Sequence, residues 1–154
     1  MFKQVKGNLF DHVEEDDKNT PFAFAHCVSH CLAMGKGIAP EFKRRYERVD
    51  ELERQPHEVG DAPHLHFPQA SPAASEPSLV LYLITKQMYY HKPTYKTMEQ
   101  ALRSARTVLE QYGISHVAIP LIGCGLDRLE WEQVKLLVQQ EWMDHGITVT
   151  LHTL

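Results

Sequence analysis

A chain of 154 residues, 43% of them hydrophobic, has room for one ordinary domain with a full core. Its net charge of −4 supplies no basic field to grip duplex DNA or an anionic membrane, and no apolar run approaches a bilayer span, so nucleotide contacts are expected to be local to a pocket. Three cysteines are odd in number and too few for a disulfide scaffold, and Met1-Phe2-Lys3 leads into a strand pattern rather than a signal peptide, so an intracellular setting, cytoplasm or nucleus, is expected.

Strand-like and helix-like patterns alternate along the chain, which predicts an α/β layer fold. Phe2 to Lys6 and Phe22 to Val28 read as strands, the second rich in Ala and Phe. Short helices are predicted over Gly37 to Tyr46 and Val49 to Arg54, the latter closing before Pro56. From Pro56 to Ser78 five prolines and the small, polar run Gln69 to Glu76 predict a hairpin followed by a flexible surface loop. Leu79-Val-Leu-Tyr-Leu-Ile84 is a continuous apolar run, the pattern of a central strand covered on both faces. Thr97 to Tyr112 is amphipathic, with Met98, Ala101, Leu102, Ala105, Val108, Leu109 and Tyr112 on one face and Gly113 at the position of a helix-ending glycine. A strand from His116 to Pro120, a helix from Glu130 to Met143 and a closing strand from Ile147 to Leu154 complete the pattern.

The chemistry is concentrated in three loops that a parallel sheet brings to one edge, outside the carboxyl ends of its strands. In Pro120-Leu-Ile-Gly-Cys-Gly-Leu-Asp-Arg-Leu-Glu-Trp131 an apolar strand ends in a glycine-rich turn ahead of an amphipathic helix. Gly123 and Gly125 permit close backbone approach and positive φ, and unpaired N–H groups at the helix start favour an anion such as a diphosphate. Ser29-His-Cys-Leu-Ala-Met-Gly-Lys-Gly-Ile-Ala39 is a second glycine-rich turn from strand to helix. Between them, Lys86 follows Thr85 at the end of the central strand. A lysine there is either a solvated strand end or, in a partly desolvated cleft, an amine that attacks a sugar anomeric carbon. Asp127 is open to two roles as well, since Asp127-Arg-Leu-Glu130 also fits a helix cap. His26-Cys27-Val-Ser-His30-Cys31 suggests a metal cluster, but on a strand His26 and Cys27 point to opposite faces and no second pair stands at zinc-like spacing, so no metal is expected. The Cys124-to-Arg128 spacing is too short for a cysteine phosphatase loop, which leaves Cys124 as a small residue lining the cradle.

Val5-Lys-Gly-Asn-Leu-Phe10, Ala25-His-Cys27, Met34-Gly-Lys-Gly-Ile-Ala39, Ile84-Thr-Lys86, His91-Lys-Pro-Thr-Tyr95 and Ile122-Gly-Cys-Gly-Leu-Asp-Arg-Leu129 with Trp131 together resemble a macro domain. More narrowly, the Thr-Lys and Gly-Cys-Gly-Leu-Asp motifs are similar to the terminal ADP-ribose protein glycohydrolase branch, which also deacylates O-acyl-ADP-ribose. The resemblance covers nearly the whole chain, 1–154, apart from the Pro/Ser-rich insertion. It implies a three-layer α/β/α fold around a mixed sheet, a single domain acting as a monomer, and an ADP-ribose cleft at the sheet edge. Lys86 falls on the family's nucleophile, which attacks C1″ of the distal ribose and displaces a glutamate or aspartate carboxylate of a mono-ADP-ribosylated protein. Asp127 falls on its acid/base. The resemblance places the diphosphate on the backbone of Leu121, Ile122, Gly123, Cys124, Gly125 and Leu126, and further ADP-ribose contacts at Ser29, Gly35, Gly37, Ile38 and Thr85. Adenine would lie at Asn8 and Leu9 with Leu154 closing that end, and no cofactor is implied.

Asn8 stands where many macro domains carry aspartate, so its amide oxygen would accept from the adenine amine without charge assistance. His30, Cys31 and Leu32 replace more polar residues, and Leu121 stands where an arginine can occur. Two other functions fit the same resemblance: removal of a 1″-phosphate from ADP-ribose, and ADP-ribose binding without catalysis. Neither requires Lys86 and Asp127 together.

Overall fold

Leu79 to Lys86 forms strand β4, whose side chains alternate between two apolar layers, and this alternation organises the molecule. In the computed structural model, which describes residues 1–124 and 127–154, Leu79, Leu81 and Leu83 join one core cluster and Val80, Tyr82 and Ile84 the other. Each fully buried leucine or isoleucine contributes roughly 1.5–3 kcal/mol of apolar transfer, so such a strand is stable only with a helix layer on each face.

The other strands are β1 (Phe2–Lys6), β2 (Ala23–Ser29), β3 (His64–His66), β5 (His116–Ile119) and β6 (Thr148–Thr153), in the order β1-β6-β5-β2-β4-β3. Every neighbouring pair is parallel except β3 with β4, which makes the sheet mixed. Helices α1 (Ala39–Tyr46) and α2 (Val49–Glu53) bury Phe42 and Leu52 against one face, together with Phe10, Phe22 and Phe24. Helices α3 (Tyr95–Tyr112) and α4 (Trp131–Glu141) cover the other through Met98, Ala101, Leu102, Ala105, Leu109, Val134 and Val138. The fold is the three-layer α/β/α arrangement expected. Among the described residues, no helix is long and apolar enough to cross a membrane.

Two elements differ from expectation. Helix α3 starts at Tyr95 rather than Thr97, because Thr94 accepts from the Thr97 N–H at 3.1 Å while Thr97 Oγ1 accepts from the Thr94 N–H at 3.0 Å. A threonine in place of the usual Glu or Gln hides this reciprocal cap from the sequence pattern. Segment 56–78 contributes one strand, β3, and a 3₁₀ turn over Pro72–Ala74, and the partner of β3 is β4 outside that segment. Gln55 anchors β3, donating to His64 O at 2.7 Å and accepting from His64 N at 2.9 Å.

Candidate active site

Because β1, β6, β5, β2 and β4 run parallel, their carboxyl ends at Lys6, Thr153, Ile119, Ser29 and Lys86 share one edge. The loops leaving that edge carry the residues singled out in the sequence. The β2–β4 ladder is irregular at its end: Val28 pairs with Ile84, but Ser29 pairs with Lys86. Thr85 is thus one extra residue on β4, and a bulge of this kind re-aims the side chain that follows. Thr85 itself is buried.

Lys86 Nζ donates to Asp127 Oδ1 at 2.6 Å, and each side chain is only 14% exposed. Withdrawn from water, the two groups form a short, charge-assisted bond. This decides between the two roles open to Asp127. Helix α4 begins at Trp131, its N-cap residue is Glu130, no side chain caps it, and the Glu130 N–H donates to Tyr95 Oη at 3.1 Å. Asp127 therefore partners Lys86 and does not cap the helix.

The loop after β5 is wound on itself. Ile122 N–H donates to Pro120 O at 2.7 Å, Leu129 N–H to Gly123 O at 2.7 Å, and the Cys124 thiol to Ile122 O at 3.3 Å. Gly123 has φ of 72°, which favours glycine in the turn, and a Cβ on it would lie 2.7 Å from Met98 Cε and 3.1 Å from Leu129 Cδ1, so a methyl there would have to displace the Met98 side-chain end on α3. Gly125 and Leu126 lie outside the described residues. The start of α4 is set back from this turn, whereas the 30–38 loop runs directly into α1 at Ala39 with Pro40 in its first turn. Gly35 and Gly37 face open space, and Leu32 and Met34 hold positive φ of 54° and 49°, backbone strain of the kind found at ligand-binding loops. Ser29 is buried, with its hydroxyl 3.0 Å from the Cys31 sulfur.

Burial and the neighbouring Asp127 push the thiols of Cys27 and Cys124 upward, so both are neutral thiols beside the Lys86–Asp127 pair. The exposed Cys31 thiol is lowered: burial works against this, but the Ser29 hydroxyl and nearby backbone groups outweigh it. His26 and Cys27 do point to opposite faces. His26 stacks on Phe42 with centroids 3.7 Å apart, while Cys27 packs against the α3 and α4 side. Among the described residues, no group of three or more His, Cys, Asp or Glu could hold a metal ion.

At the far end of the edge, Asn8 is exposed and its side-chain oxygen accepts from Phe10 N–H at 2.9 Å, capping a 3₁₀ turn over Leu9–Asp11. Leu9 is buried, and Leu154 is exposed at the end of the chain. Sequence reasoning missed Cys27 as a neighbour of Asp127 and Tyr95 as a support of the 127–130 turn. Neither has a local pattern, because both contacts join segments far apart in the chain.

A family model described as Macro domain matches residues 25–138. The chain belongs to the macro domain family. It is 34% identical over 150 residues to the human protein named ADP-ribose glycohydrolase OARD1, covering 97% of this chain and 90% of that one. Among solved structures, the macrodomain of Thermus aquaticus DarG superimposes with a TM-score of 0.81 at 24% identity, over 100% of this chain and 99% of that one. A structure titled Thermosipho africanus DarTG in complex with ADP-ribose gives a TM-score of 0.75 at 22% identity, covering 97% of this macro domain and 41% of that chain. At these identities the two structural likenesses concern the fold.

Proposed function

We propose that this macro domain is an ADP-ribosyl ester hydrolase that removes mono-ADP-ribose from glutamate and aspartate side chains of proteins and deacylates O-acyl-ADP-ribose. The observation that carries the proposal is the Lys86–Asp127 pair, 2.6 Å apart, part-buried at the sheet edge between two glycine-bearing loops. ADP-ribose would run along this edge, with adenine at Asn8 and Leu9, its diphosphate along the backbone from Leu121 to Leu126, and its distal ribose toward Ser29, Gly35, Gly37, Ile38 and Thr85. The likeness to a protein named an ADP-ribose glycohydrolase supports the class of substrate.

The chemistry follows from the pair. Asp127 takes a proton from the Lys86 ammonium, and the free amine attacks C1″ of the distal ribose. The C1″–O bond breaks, the glutamate or aspartate carboxylate leaves with the bonding electrons and takes the proton held by Asp127, and a lysyl–ribose adduct forms. Asp127 then takes a proton from water as the water adds at C1″, and the lysine leaves as the proton returns to it. The neutral Cys27 and Cys124 thiols keep anionic charge away from the carboxylate that must do this work.

The test is incubation with glutamate-linked mono-ADP-ribosylated protein and, in parallel, with ADP-ribose 1″-phosphate, measuring free ADP-ribose. Release from the protein supports the hydrolase. Release from the phosphate alone would make it a phosphatase, and binding without turnover of either would make it a reader.

A further inference from the structure

Four ionisable side chains from distant parts of the chain meet beneath the turn that carries Asn8 and Leu9, and the chemistry above uses none of them. His12 Nδ1 lies 2.8 Å from Nε2 of His152 on β6. His12 Nε2 lies 2.6 Å from one Glu14 oxygen, and His116 Nδ1 on β5 lies 2.7 Å from the other. His12, Glu14 and His152 are 3%, 5% and 9% exposed.

The direction of the hydrogen bonds follows from what each group can offer. Burial pushes the Glu14 carboxyl up, but the His12 hydrogen bond and the His116 charge outweigh it and hold the carboxyl below its ordinary value, so it acts as an acceptor. His12 must then donate from Nε2. Between His12 Nδ1 and His152 Nε2 a single proton is shared, donated by one ring and accepted by the other. The remaining His152 nitrogen, Nδ1, is buried without a hydrogen-bond partner among the described residues. Burial and the facing His12 lower His152 to about 4, so its ring stays neutral. The other charged groups around the cluster are Lys3 of β1, which pairs with Asp16 at 3.8 Å, and Asp11 and Glu15 next to His12 and Glu14 in the chain.

His12 also has a local duty. Its backbone N–H donates to Leu9 O at 3.0 Å and closes the 3₁₀ turn that Asn8 caps. One face of its ring meets Phe22 edge-on at 4.7 Å, but a cavity of about 170 Å³ lies beside it, lined by Val5, Glu14, Thr150 and His152 among others. With open space on that side, hydrogen bonds rather than close packing fix how the ring, and the turn attached to it, sits on β6.

We propose that His12, clasped between Glu14 and His152, is a positioning residue for nucleobase recognition. It holds the 8–12 turn against the end of β6 so that Asn8 Oδ1, already accepting from Phe10 N–H, presents its second lone pair to the exocyclic amine of adenine. This rests on the placement of adenine at Asn8 and Leu9 given above.

The test compares ADP-ribose with inosine diphosphate ribose, in which a carbonyl replaces the amine, by calorimetry on the wild type and on His12→Phe and His152→Phe. The second variant removes the ring-to-ring contact while leaving His12 bonded to Glu14, and melting curves establish that each variant is folded. The wild type should prefer ADP-ribose by about tenfold, the scale of one lost hydrogen bond. In both variants that preference should fall toward one, with KM for the ADP-ribosyl substrate raised and kcat retained. A wild type without the preference would overturn the adenine placement and the clasp with it. A wild type that discriminates, with folded variants that discriminate equally well or lose kcat alone, would overturn the clasp and leave the placement standing.

Discussion

Lys86 and Asp127 each had two roles open to them when read singly, and only their separation of 2.6 Å joins them into one device. Lys86→Ala should abolish ester hydrolysis while leaving ADP-ribose binding within a few-fold, because the loops that would hold the ligand are built by backbone and the lysine acts in the chemical step. Turnover assays beside calorimetry check this, and a variant with wild-type turnover refutes the nucleophile. Asp127→Asn should fold, since no helix cap is lost, yet fail to release its adduct. Intact-mass spectra should then show one ADP-ribose on the protein, mapped to Lys86 by peptide analysis; an unmodified, fully active variant would remove Asp127 from the chemistry. At the other end of the edge, Asn8→Asp keeps an oxygen to cap the 3₁₀ turn and adds charge to the acceptor. ADP-ribose should bind more tightly, by about 1 kcal/mol, and calorimetry showing equal or weaker binding would mean that residue 8 does not face the base.

At the scale of elements, the two glycine-bearing loops answer differently to the same substitution. Gly123→Ala places a methyl 2.7 Å from Met98 Cε at a φ of 72°, so conformational strain and overpacking add, and stability should fall by roughly 2–4 kcal/mol. Gly37→Ala meets nothing within 4 Å at a φ of 64°, so only about 1 kcal/mol should be lost. Denaturant unfolding of both variants measures the contrast, and equal losses would mean that α3 does not press on the 120–124 turn as described. The contrast also marks how far the sequence could be read. Both loops were identified as glycine-rich strand ends, but α1 adjoins its loop while α4 is set back behind residues 127–130, because Asp127 bonds to Lys86 and Leu129 closes on Gly123. No local pattern records a bond across 41 residues.

For the molecule as a whole, buried histidines set the response to acid. His26 is fully buried, neither ring nitrogen has a hydrogen-bond partner among the described residues, and burial lowers it to about 3 from an ordinary 6.5; His152 is lowered to about 4, chiefly by burial and then by His12. Below pH 6.5 the unfolded chain binds protons that the folded protein refuses, so the stability these groups allow is complete above about pH 6.5 and is lost as pH falls toward 4 and then 3. Each group steepens the loss by up to about 1.4 kcal/mol per pH unit within its window. His26→Leu replaces an unpartnered polar ring with an apolar group against Phe42 and Tyr82. It should be neutral or stabilising at pH 7 and should flatten the acid limb, as thermal melts from pH 7 to 4 will read. A strongly destabilised variant with an unchanged acid limb would mean that His26 has a partner in the folded protein.

The sequence by itself determined the layers, the strands and the edge at which ligand-binding loops gather. These follow from hydrophobic periodicity and from the rule that parallel strands align their carboxyl ends, both of which are written in consecutive residues. It also marked Lys86, Asp127 and the glycines of both loops, because lysine, carboxylate and glycine have distinctive chemistry wherever they stand. Tertiary structure alone decided that Asp127 serves Lys86 rather than α4, that a bulge at Thr85 precedes the lysine, and that residues 12, 14 and 152 form one buried chain with His116 beside it. Hydrogen bonds and ion pairs act over about 3 Å, whereas sequence separation says nothing about distance once the chain has crossed the sheet and returned.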